Sequence, residues 1–459
     1  MLLNDIDKNK PIHMIGIGGT SMSGIAEILL SMGFTITGSD MNSSAFTQRL
    51  EQEGIKIYKG HYPENVENAG LVVYTAAINQ NNPELVRTRE LNIPLMERSE
   101  FVGELTKLYN KTISICGTHG KTTTTSMVSL AFLEAGKDPT VQVGADIKGL
   151  NNLNYRVGKS PYFVLESCEY VRSFLKFHPH TVTLLNIEED HLDCYKDIED
   201  IKSAFREFVQ SVPEEGFVIV NSDNSDCMDV VKDLQCKVYT IGIENEDADF
   251  YAENIDTDEN GFYKFDVHFD NQSHPIQLKV LGYHNVYNAL ATIATSIIHD
   301  VPIEAIQKAL NSFTGASRRF EYVGTVNGAK IFDDYAHHPT EIKATIEAAT
   351  KTKYDKMWVV FQPHTYTRTK SLFNEFATAF NNVNNVIILD IYAAREIDDG
   401  TISSKMLVDE INKNSQNCIH IGTIEEASEY LKNNVNKNDL VLTIGAGSVT
   451  KIGYMIKED

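Results

Sequence analysis

Residues 112–125 read TISICGTHGKTTTT, and this stretch decides the fold of the chain. Its first part, Thr112–Cys116, is an apolar run that predicts a buried strand, and a glycine loop, Gly117–Gly120, follows directly. The residues after the loop predict a helix that continues to about Ala135. A strand, a glycine loop and a helix N-terminus in this order aim backbone N–H groups and the positive end of the helix dipole at an anion. The segment therefore predicts a phosphate-binding loop in an α/β domain.

The side chains that follow the loop fit the same interpretation. Lys121 would contact the outer phosphates, and the hydroxyl of Thr122 would bind Mg²⁺. The spacing G-x-x-G-K-T is shorter than that of the standard phosphate loop, so a generic Ras-like or kinase pattern does not fit. A glycine turn that merely precedes Lys-Thr is the alternative, which the flanking strand and helix disfavour. The candidate ATP-binding residues in this segment are Gly117, Thr118, His119, Gly120, Lys121, Thr122 and Thr123.

Two later strands carry polar side chains where they end. Glu166 and Glu169 accompany the apolar run Tyr162–Leu165, and His191 follows the run Thr181–Leu185. Ligands collect at the carboxyl edge of open α/β sheets, and Mg²⁺ prefers oxygen ligands. Taken alone, His191 would be read as a histidine of a surface loop. Three such strand ends in succession instead predict one shared site.

The rest of the chain repeats the alternation of strand and helix. An opening section, with a strand over Ile12–Ile17 and a glycine loop over Gly16–Gly24, is typical of a βαβ unit. Phe34–Thr37 predicts a second strand that ends at Ser39-Asp40, and Leu71–Tyr74 a later one. A third section predicts a mostly parallel sheet. Its strands are Lys330–Phe332, Met357–Phe361, Val386–Leu389, Cys418–Ile421 and Leu440–Ile444. For the 459 residues we predict three α/β domains, over 1–108, 109–314 and 315–459.

Composition and charge narrow the classes of function. The formal net charge is −22, with 41 Lys and Arg against 63 Asp and Glu, which argues against a nucleic-acid or anionic membrane surface. Most of the acidic excess falls between residues 186 and 270, where it reads as a solvated face. The six cysteines form no C-x-x-C pair and indicate reduced cytosolic thiols. Without a signal peptide or an apolar run of membrane-spanning length, we expect a cytoplasmic monomer or homodimer with no membrane insertion.

Six motifs occur in a fixed order and resemble those of the Mur ligase family. The resemblance extends from Ile12 to at least Gly447. The motifs are G-T-H-G-K-T-T-T-T (117–125), E-S-C-E-Y (166–170), N-I-E-E-D-H (186–191), G-Y-H-N-V-Y-N (282–288), S-R-R-F (317–320) and D-D-Y-A-H-H-P (333–339).

The resemblance implies both an architecture and a reaction. The expected α/β fold has three domains: a Rossmann-like UDP-binding domain, a central P-loop ATPase-like domain with added antiparallel strands, and a C-terminal Rossmann-like domain. The family couples ATP cleavage to amide formation through an acyl phosphate, in the synthesis of peptidoglycan precursors. The opening G-I-G-G-T-S-M-S-G-I-A-E and the segment Gln362–Thr369 are most similar to the member that adds L-alanine to UDP-N-acetylmuramate. A sibling that adds a peptide in cell-wall recycling is the alternative.

The family also implies roles for individual residues. Lys121, Glu169, His191 and Arg319 would be catalytic, and Thr122, Glu169 and His191 would hold Mg²⁺. Further ATP contacts would come from Asn285, Asn288, Arg319 and Asp334. From the residues alone, Asn285 would be a helix cap and Asn288 a polar surface residue. Several siblings carry a carbamylated lysine where this chain has Arg206, so we expect no carbamate here, and Lys202 is out of register.

The two remaining substrates are assigned in the same way. For the UDP-sugar the candidates are Gly16, Gly18, Gly19, Ser39, Asp40, Thr75 and Ala76. The same loop resembles a dinucleotide fingerprint, which would suggest an NAD oxidoreductase, but Ser21 stands where that pattern needs its last glycine. For the amino acid the candidates are Tyr335, His337, His338, His364 and Arg368. Arg368 could pair with a carboxylate in a bidentate manner, whereas each histidine could equally be a structural loop or core residue.

Overall fold

In the computed structural model, which describes residues 6–192, 194–394 and 396–458, three separate β-sheets follow one another along the chain. The first sheet is parallel throughout. Its strands are β1 (Ile12–Ile15), β2 (Ile36–Asp40), β3 (Lys56–Lys59), β4 (Leu71–Tyr74) and β5 (Leu95–Glu97), in the order β3-β2-β1-β4-β5. Its helices are α1 (Thr20–Ser31), α2 (Ala45–Gln52), α3 (Pro83–Glu90) and α4 (Arg98–Thr106). Because the strands are parallel, the loops after β1, β2 and β4 all lie at the carboxyl edge of this sheet.

The second sheet has ten strands and is parallel in its centre. The strands are β6 (Lys111–Cys116), β7 (Thr140–Ile147), β8 (Leu153–Arg156), β9 (Tyr162–Glu166), β10 (Thr181–Leu184), β11 (Phe217–Asn221), β12 (Lys237–Gly242), β13 (Phe250–Thr257), β14 (Tyr263–Phe269) and β15 (Gln272–Gln277). They are ordered β15-β14-β13-β12-β11-β10-β6-β9-β7-β8, and β13, β14 and β15 form the added antiparallel strands. The helices are α5 (Lys121–Glu134), α6 (Ile198–Gln210), α7 (Ser225–Val230), α8 (His284–Ile297) and α9 (Ile303–Ser312).

The third sheet is parallel except at one edge, where its first two strands form an antiparallel hairpin. The strands are β16 (Glu321–Val326), β17 (Ala329–Asp334), β18 (Met357–Phe361), β19 (Asn385–Ile388), β20 (Cys418–His420) and β21 (Leu440–Ile444), in the order β16-β17-β21-β18-β19-β20. Its helices are α10 (Pro339–Thr350), α11 (Tyr366–Ser371), α12 (Phe373–Thr378), α13 (Ser404–Asn414), α14 (Ile424–Asn434) and α15 (Thr450–Ile456). The predicted three-domain α/β architecture is therefore confirmed.

Apolar side chains hold helices on both faces of the central and C-terminal sheets. In the central domain, Phe174, Phe205 and Phe208 pack on one face, while Phe132 from α5 and Leu290 from α8 pack on the other. The strands between these layers are continuous apolar runs, as a doubly covered parallel sheet requires. Because α5 and α8 share one core, the start of α8 lies directly over the phosphate loop.

The first domain is fixed to the central domain through α1. The side chain of Asn154 donates to the carbonyl oxygen of Thr20 at 2.7 Å, and that of Gln142 donates to the carbonyl of Ser21 at 3.0 Å. Arg49, which forms an ion pair with the buried Glu27 of the same domain at 3.0 Å, also donates to Oδ1 of Asn154 at 3.5 Å. These contacts orient the glycine loop of the first sheet toward the central domain.

Several predicted strand limits differ from those observed. The second strand of the first sheet covers Ile36–Asp40, so its predicted end at Ser39-Asp40 is confirmed, whereas its predicted start at Phe34 lies two residues too early. Polar residues in β2 are tolerated because the Ser39 hydroxyl, although buried, donates to Glu84 at 2.6 Å. Among the described residues, no helix combines the length and apolar character needed to span a bilayer.

Candidate active site

The phosphate loop between β6 and α5 has no room for side chains at its two glycines. Gly120 has a φ of +84°, and a Cβ atom there would lie 2.4 Å from Oδ1 of Asn288. Gly117 has a φ of +135°, and its Cβ would lie 3.0 Å from the backbone nitrogen of Asn186. Only glycine suits these positions, because it has no Cβ atom to collide with a neighbour and because positive φ is unfavourable for other residues. The loop is thus clamped between α8 and the segment that follows β10.

Lys121 is held over this loop by three groups. Its Nζ donates to the carbonyl oxygens of Gly117 at 2.6 Å and Thr118 at 2.9 Å, and it lies 3.0 Å from Oε2 of Glu169. Burial disfavours the charged ammonium, but the Glu169 carboxylate outweighs burial and raises the pKa of Lys121. The side chain therefore presents a permanent positive charge beside the loop.

Oxygen atoms and one imidazole gather beside Lys121. The Thr122 hydroxyl donates to Oε1 of Glu166 at 3.0 Å, and Nε2 of His191 lies 3.8 Å from Oε1 of Glu169. His191 has a φ of +55°, and its side chain is 20% exposed. A hydroxyl, two carboxylates and an imidazole are a donor set that suits Mg²⁺, although its preferred ligands are oxygens. The residues predicted to hold the metal thus lie together.

A cavity of about 1140 Å³ opens between the central and C-terminal domains beside the phosphate loop. This volume exceeds that of most small-molecule sites and is sufficient for a nucleotide. Of the predicted ATP-binding residues, its lining includes His119, Gly120, Thr122, Thr123, Asn285, Asn288, Arg319 and Asp334. Gly117, Thr118 and Lys121 are not part of the lining.

Asn285 and Asn288 form one buried unit on α8. Nδ2 of Asn288 donates to Oδ1 of Asn285 at 2.8 Å, and Asn285 in turn donates to the carbonyl oxygen of Leu281. The hydroxyl of Thr124, on α5, donates to Oδ1 of Asn288 at 3.2 Å. Both asparagines are buried and neither caps the helix. The interpretation from the residues alone, a cap and a surface residue, is therefore wrong.

Asp334 and Arg319 approach the cavity from the C-terminal domain. The carboxylate of Asp334 accepts backbone N–H groups from Phe320 and Ala336, both at 2.8 Å. Burial raises the pKa of Asp334 to about 6, although the Arg319 guanidinium opposes that shift. The guanidinium of Arg319 lies 5.4 Å from the ring centroid of Tyr335. A cation and a carboxylate from this domain therefore face the phosphate loop of the central domain.

Four of the five residues predicted for the amino acid form one chain of contacts. The rings of Tyr335 and His337 lie 5.5 Å apart and those of His337 and His364 lie 6.2 Å apart, between centroids. Nη1 of Arg368 lies 3.3 Å from Nδ1 of His364, and Nη2 lies 3.0 Å from Oδ1 of Asp190. Burial lowers the pKa of His337 to about 4, so its ring is neutral at pH 7. The cluster combines a guanidinium, a buried carboxylate and two imidazoles, of which that of His337 is neutral.

The fifth, His338, faces the phosphate loop instead. Its Nδ1 accepts the N–H of Thr340 at 3.3 Å at the start of α10, and its Nε2 lies 3.1 Å from the carbonyl oxygen of Glu189. Its ring centroid lies 5.3 Å from that of His119.

In the first domain, the loop after β1 is shaped by its neighbours. The N–H of Gly16 donates to the carbonyl of Ser39 at 2.8 Å, and the N–H of Gly18 donates to Oδ2 of Asp40 at 3.0 Å. Gly19 directly precedes α1, Thr75 packs against Gly16, and Ala76 is exposed beside it. The Ser39 hydroxyl is buried and bonded to Glu84, so it shapes the loop and does not face solvent.

Two carboxylates of the candidate site were not predicted from the sequence. Asp190 pairs with Arg368, and Glu341 contacts both His119 at 3.0 Å and His337 at 3.5 Å. His338 directly precedes α10, and Glu341 lies three residues after His338. This is the capping-box position, and it can be recognised in the sequence H-P-T-E. Asp190 carries no such local signal, since its partner is distant in sequence. Lys202 lies outside the site and pairs with Asp226 and Asp229.

Three family models together match most of the chain. They are the Mur ligase family catalytic domain over residues 11–110, the Mur ligase middle domain over 115–296 and the Mur ligase glutamate ligase domain over 318–447. The chain belongs to the Mur ligase family.

Individual relatives carry more specific names. The UDP-N-acetylmuramate–L-alanine ligase of Acetivibrio thermocellus is 50% identical over 456 residues, which cover 99% of this chain and 97% of the relative. The ligase of the same name from Clostridium botulinum (strain Okra) is 48% identical, with 98% of each chain covered. The crystal structure of the UDP-N-acetylmuramate–alanine ligase from Thermotoga maritima superposes with a TM-score of 0.83 at 27% identity, covering 97% of this chain and 98% of that one.

Proposed function

We propose that this chain is an ATP-dependent ligase that joins L-alanine to the lactyl carboxylate of UDP-N-acetylmuramate. The observation that carries the proposal is the split site: the phosphate loop with Lys121 and Glu169 on one domain faces Arg319 and Asp334 on another. Full-length identity of 48–50% to ligases of this name supports the choice of substrates.

In the first step, an oxygen of the substrate carboxylate attacks the γ-phosphorus of ATP. The bond from that phosphorus to the bridging oxygen breaks, and ADP leaves with the electron pair. Lys121 and Arg319 supply positive charge on opposite sides of the transferred group, where negative charge is spread over the phosphoryl oxygens. The product is an acyl phosphate, held away from bulk water if the two domains stay together.

Thr122, Glu169 and His191 are the residues that would hold Mg²⁺ at this site. A bound metal ion would neutralise phosphate charge and so let two anions approach each other. Glu166 would orient the Thr122 hydroxyl, with which it shares a hydrogen bond.

In the second step, the amine of alanine attacks the acyl carbon. The ammonium nitrogen loses two protons in this step: one passes to a neutral imidazole such as that of His337 before the attack, and the other leaves with phosphate. A C–N bond forms, the C–O bond to phosphate breaks, and inorganic phosphate leaves. Arg368 would bind the alanine carboxylate, while the buried Asp190 and the neutral ring of His337 would receive the ammonium group without repelling it. Tyr335 and His364 would complete the walls of the amino-acid pocket.

The first domain would bind the UDP-sugar at the edge where β1, β2 and β4 end. Backbone N–H groups of Gly16, Gly18 and Gly19 and the start of α1 suit a diphosphate. Asp40, Thr75 and Ala76 lie beside this loop. Ser39 supports the loop because its carbonyl oxygen accepts the N–H of Gly16.

ADP release tests the proposal directly. The purified chain, with Mg²⁺ and ATP, is supplied with UDP-N-acetylmuramate and one amino acid or a tripeptide. We expect ADP release to require UDP-N-acetylmuramate and L-alanine together, with a product heavier by one alanyl residue. Release that instead requires the tripeptide would assign the recycling activity and contradict the proposal.

A further inference from the structure

Two histidines and a glutamate from both sides of the domain boundary converge beside the phosphate loop. They are His119 from the loop, Glu188 from the segment after β10, and His338 at the start of α10. One ligand atom from each of the three lies within 4.8 Å of the others. None of the three belongs to the proposed Mg²⁺ set of Thr122, Glu169 and His191.

Each histidine has one ring nitrogen already fixed by an outer partner. Nδ1 of His119 lies 3.0 Å from Oε1 of Glu341. Its Nε2 is sealed from solvent and makes no hydrogen bond within the described part of the chain, although Oε2 of Glu188 lies 3.4 Å away. Histidines that bind metals characteristically donate their second ring N–H to a carboxylate or a carbonyl in this way.

His338 shows the same arrangement. Its Nε2 lies 3.1 Å from the carbonyl oxygen of Glu189, and its Nδ1 accepts the N–H of Thr340 at 3.3 Å, a long bond that coordination of an ion would replace. Within the described residues, His119 therefore offers a ring nitrogen without a hydrogen bond, whereas His338 would exchange its weaker bond for the ion. A plain ion pair between His119 and the two glutamates would not require His338 at all.

The donor set selects the class of metal. Two imidazoles and one carboxylate are ligands typical of a Zn²⁺ site with an open position, whereas Mg²⁺ and Ca²⁺ prefer oxygen. We propose that His119, Glu188 and His338 form a binding site for Zn²⁺ or a similar transition-metal ion that links the central and C-terminal domains. His119 and Glu188 also line the nucleotide cavity, so an ion bound here competes with the nucleotide for this space.

Co²⁺, a spectroscopic substitute for Zn²⁺, tests the site. It is titrated into the full-length, nucleotide-free chain in the presence of excess Mg²⁺. We expect the visible bands of low-coordinate Co²⁺, displaced by one equivalent of Zn²⁺. In His338→Gln, affinity should fall by more than about tenfold, a loss that removal of even an outer partner can cause. Because His338 also caps α10, Glu188→Gln is the second variant, with the same expected loss.

Two further variants locate the ion. His268→Gln removes a surface histidine that pairs with Glu253 at 3.0 Å, and it should bind Co²⁺ as the unchanged chain does. His191→Gln should also retain the Co²⁺ bands. Bands that persist in both His338→Gln and Glu188→Gln, or that vanish in His191→Gln, would overturn the proposal, as would the absence of Co²⁺ binding.

A separate measurement tests whether the ion links the two domains. Small-angle X-ray scattering of the nucleotide-free chain should give a smaller radius of gyration with Zn²⁺ than without it, and Glu188→Gln should abolish the change. If Zn²⁺ binds without altering the scattering, the ion does not link the domains, and that part of the proposal is wrong. Neither measurement depends on the proposed ligase activity.

Discussion

Lys121 illustrates how single residues prepare this site before any substrate is present. Two loop carbonyls and the Glu169 carboxylate hold its ammonium in one place. All three N–H groups of the ammonium are engaged, so a direct bond to phosphate would replace one of these contacts, whereas the fixed charge would act on phosphate from its present place. Glycines at positions 117 and 120 provide the close approach that makes these contacts possible.

The first prediction concerns Lys121 itself. Lys121→Ala should lower the rate of ADP release by about a hundred- to a thousandfold, the loss typical of one removed transition-state donor. Far-ultraviolet circular dichroism should remain that of the folded chain. Lys202→Ala is the matched control: it removes a lysine of the same domain that pairs with carboxylates away from the site. Near-normal activity of Lys121→Ala would refute the assigned role.

The second prediction compares two glycines with the same backbone conformation. Gly33 and Gly120 both have a φ of +84°, but a Cβ atom on Gly33 would meet nothing within 4 Å, whereas one on Gly120 would collide with Asn288. Gly33→Ala should therefore lose only about 1–2 kcal/mol of folding free energy through backbone strain. Gly120→Ala should lose more stability and also bind ATP more weakly, as measured by thermal unfolding and calorimetric titration. Equal effects at both positions would show that the collision is unimportant.

At the scale of elements, the sequence predicted strands well where apolar runs are uninterrupted. Leu71–Tyr74, Met357–Phe361 and Leu440–Ile444 coincide with observed strands. For β2 the end at Ser39-Asp40 was predicted correctly and the start was placed two residues early, but the burial of Ser39 against Glu84, which lies far along the chain, was not predicted. β7 and β8 also escaped, since their side chains are mixed in polarity and their pairing is tertiary.

In the candidate site, too, the residues that depend on neighbours in sequence could be predicted, and those placed by the packing of distant elements could not. The phosphate loop and the strand-end carboxylates could be predicted because each depends on neighbours in sequence. The pairing of Arg368 with Asp190 and the burial of Asn288 depend on how separate elements pack, and no local pattern encodes them. The place of His338 beside the phosphate loop was missed for this reason.

The third prediction tests the contact between α1 and α2. Glu27 is buried and its partner Arg49 is partly exposed, so Arg49→Ala leaves a buried carboxylate without a countercharge. We expect a loss of about 1–3 kcal/mol in the free energy of unfolding by denaturant. Arg87→Ala, which removes an arginine paired with the exposed Glu67 and Glu90, should have little effect. Equal effects of the two variants would contradict the importance of burial.

For the whole molecule, net charge and local charge have separate meanings. The net charge of −22 describes a solvated exterior, and the acidic stretch between residues 186 and 270 contributes most of it. The nucleotide cavity instead contains loop N–H groups and Arg319, with Lys121 beside it. An acidic protein can therefore bind anionic substrates, because small anions respond to the potential within a few ångströms.

The fourth prediction concerns the pH dependence of global stability. Burial lowers the pKa of His299 to about 3, whereas an unfolded chain has the ordinary value of about 6.5. Between these values the unfolded state binds a proton that the folded state does not, so this residue reduces stability as the pH falls below about 6.5. The slope is at most about 1.4 kcal/mol per pH unit.

Unfolding by denaturant between pH 8 and pH 4 measures this effect. His299→Gln should flatten the dependence on pH, while the value at pH 8, where both states are unprotonated, isolates any loss of packing. Curves of equal slope for the two proteins would show that His299 does not titrate on unfolding.

The division of the site between two domains has a consequence for synthesis of the chain. Lys121 and Glu169 belong to one folding unit, while Arg319, Asp334 and Arg368 follow it in sequence. A ribosome-bound chain that has completed only its first two domains possesses a phosphate loop but lacks the part of the proposed ATP site that the C-terminal domain supplies. If the proposed roles are correct, we expect nascent and truncated chains to release no ADP before the third domain has been made and folded.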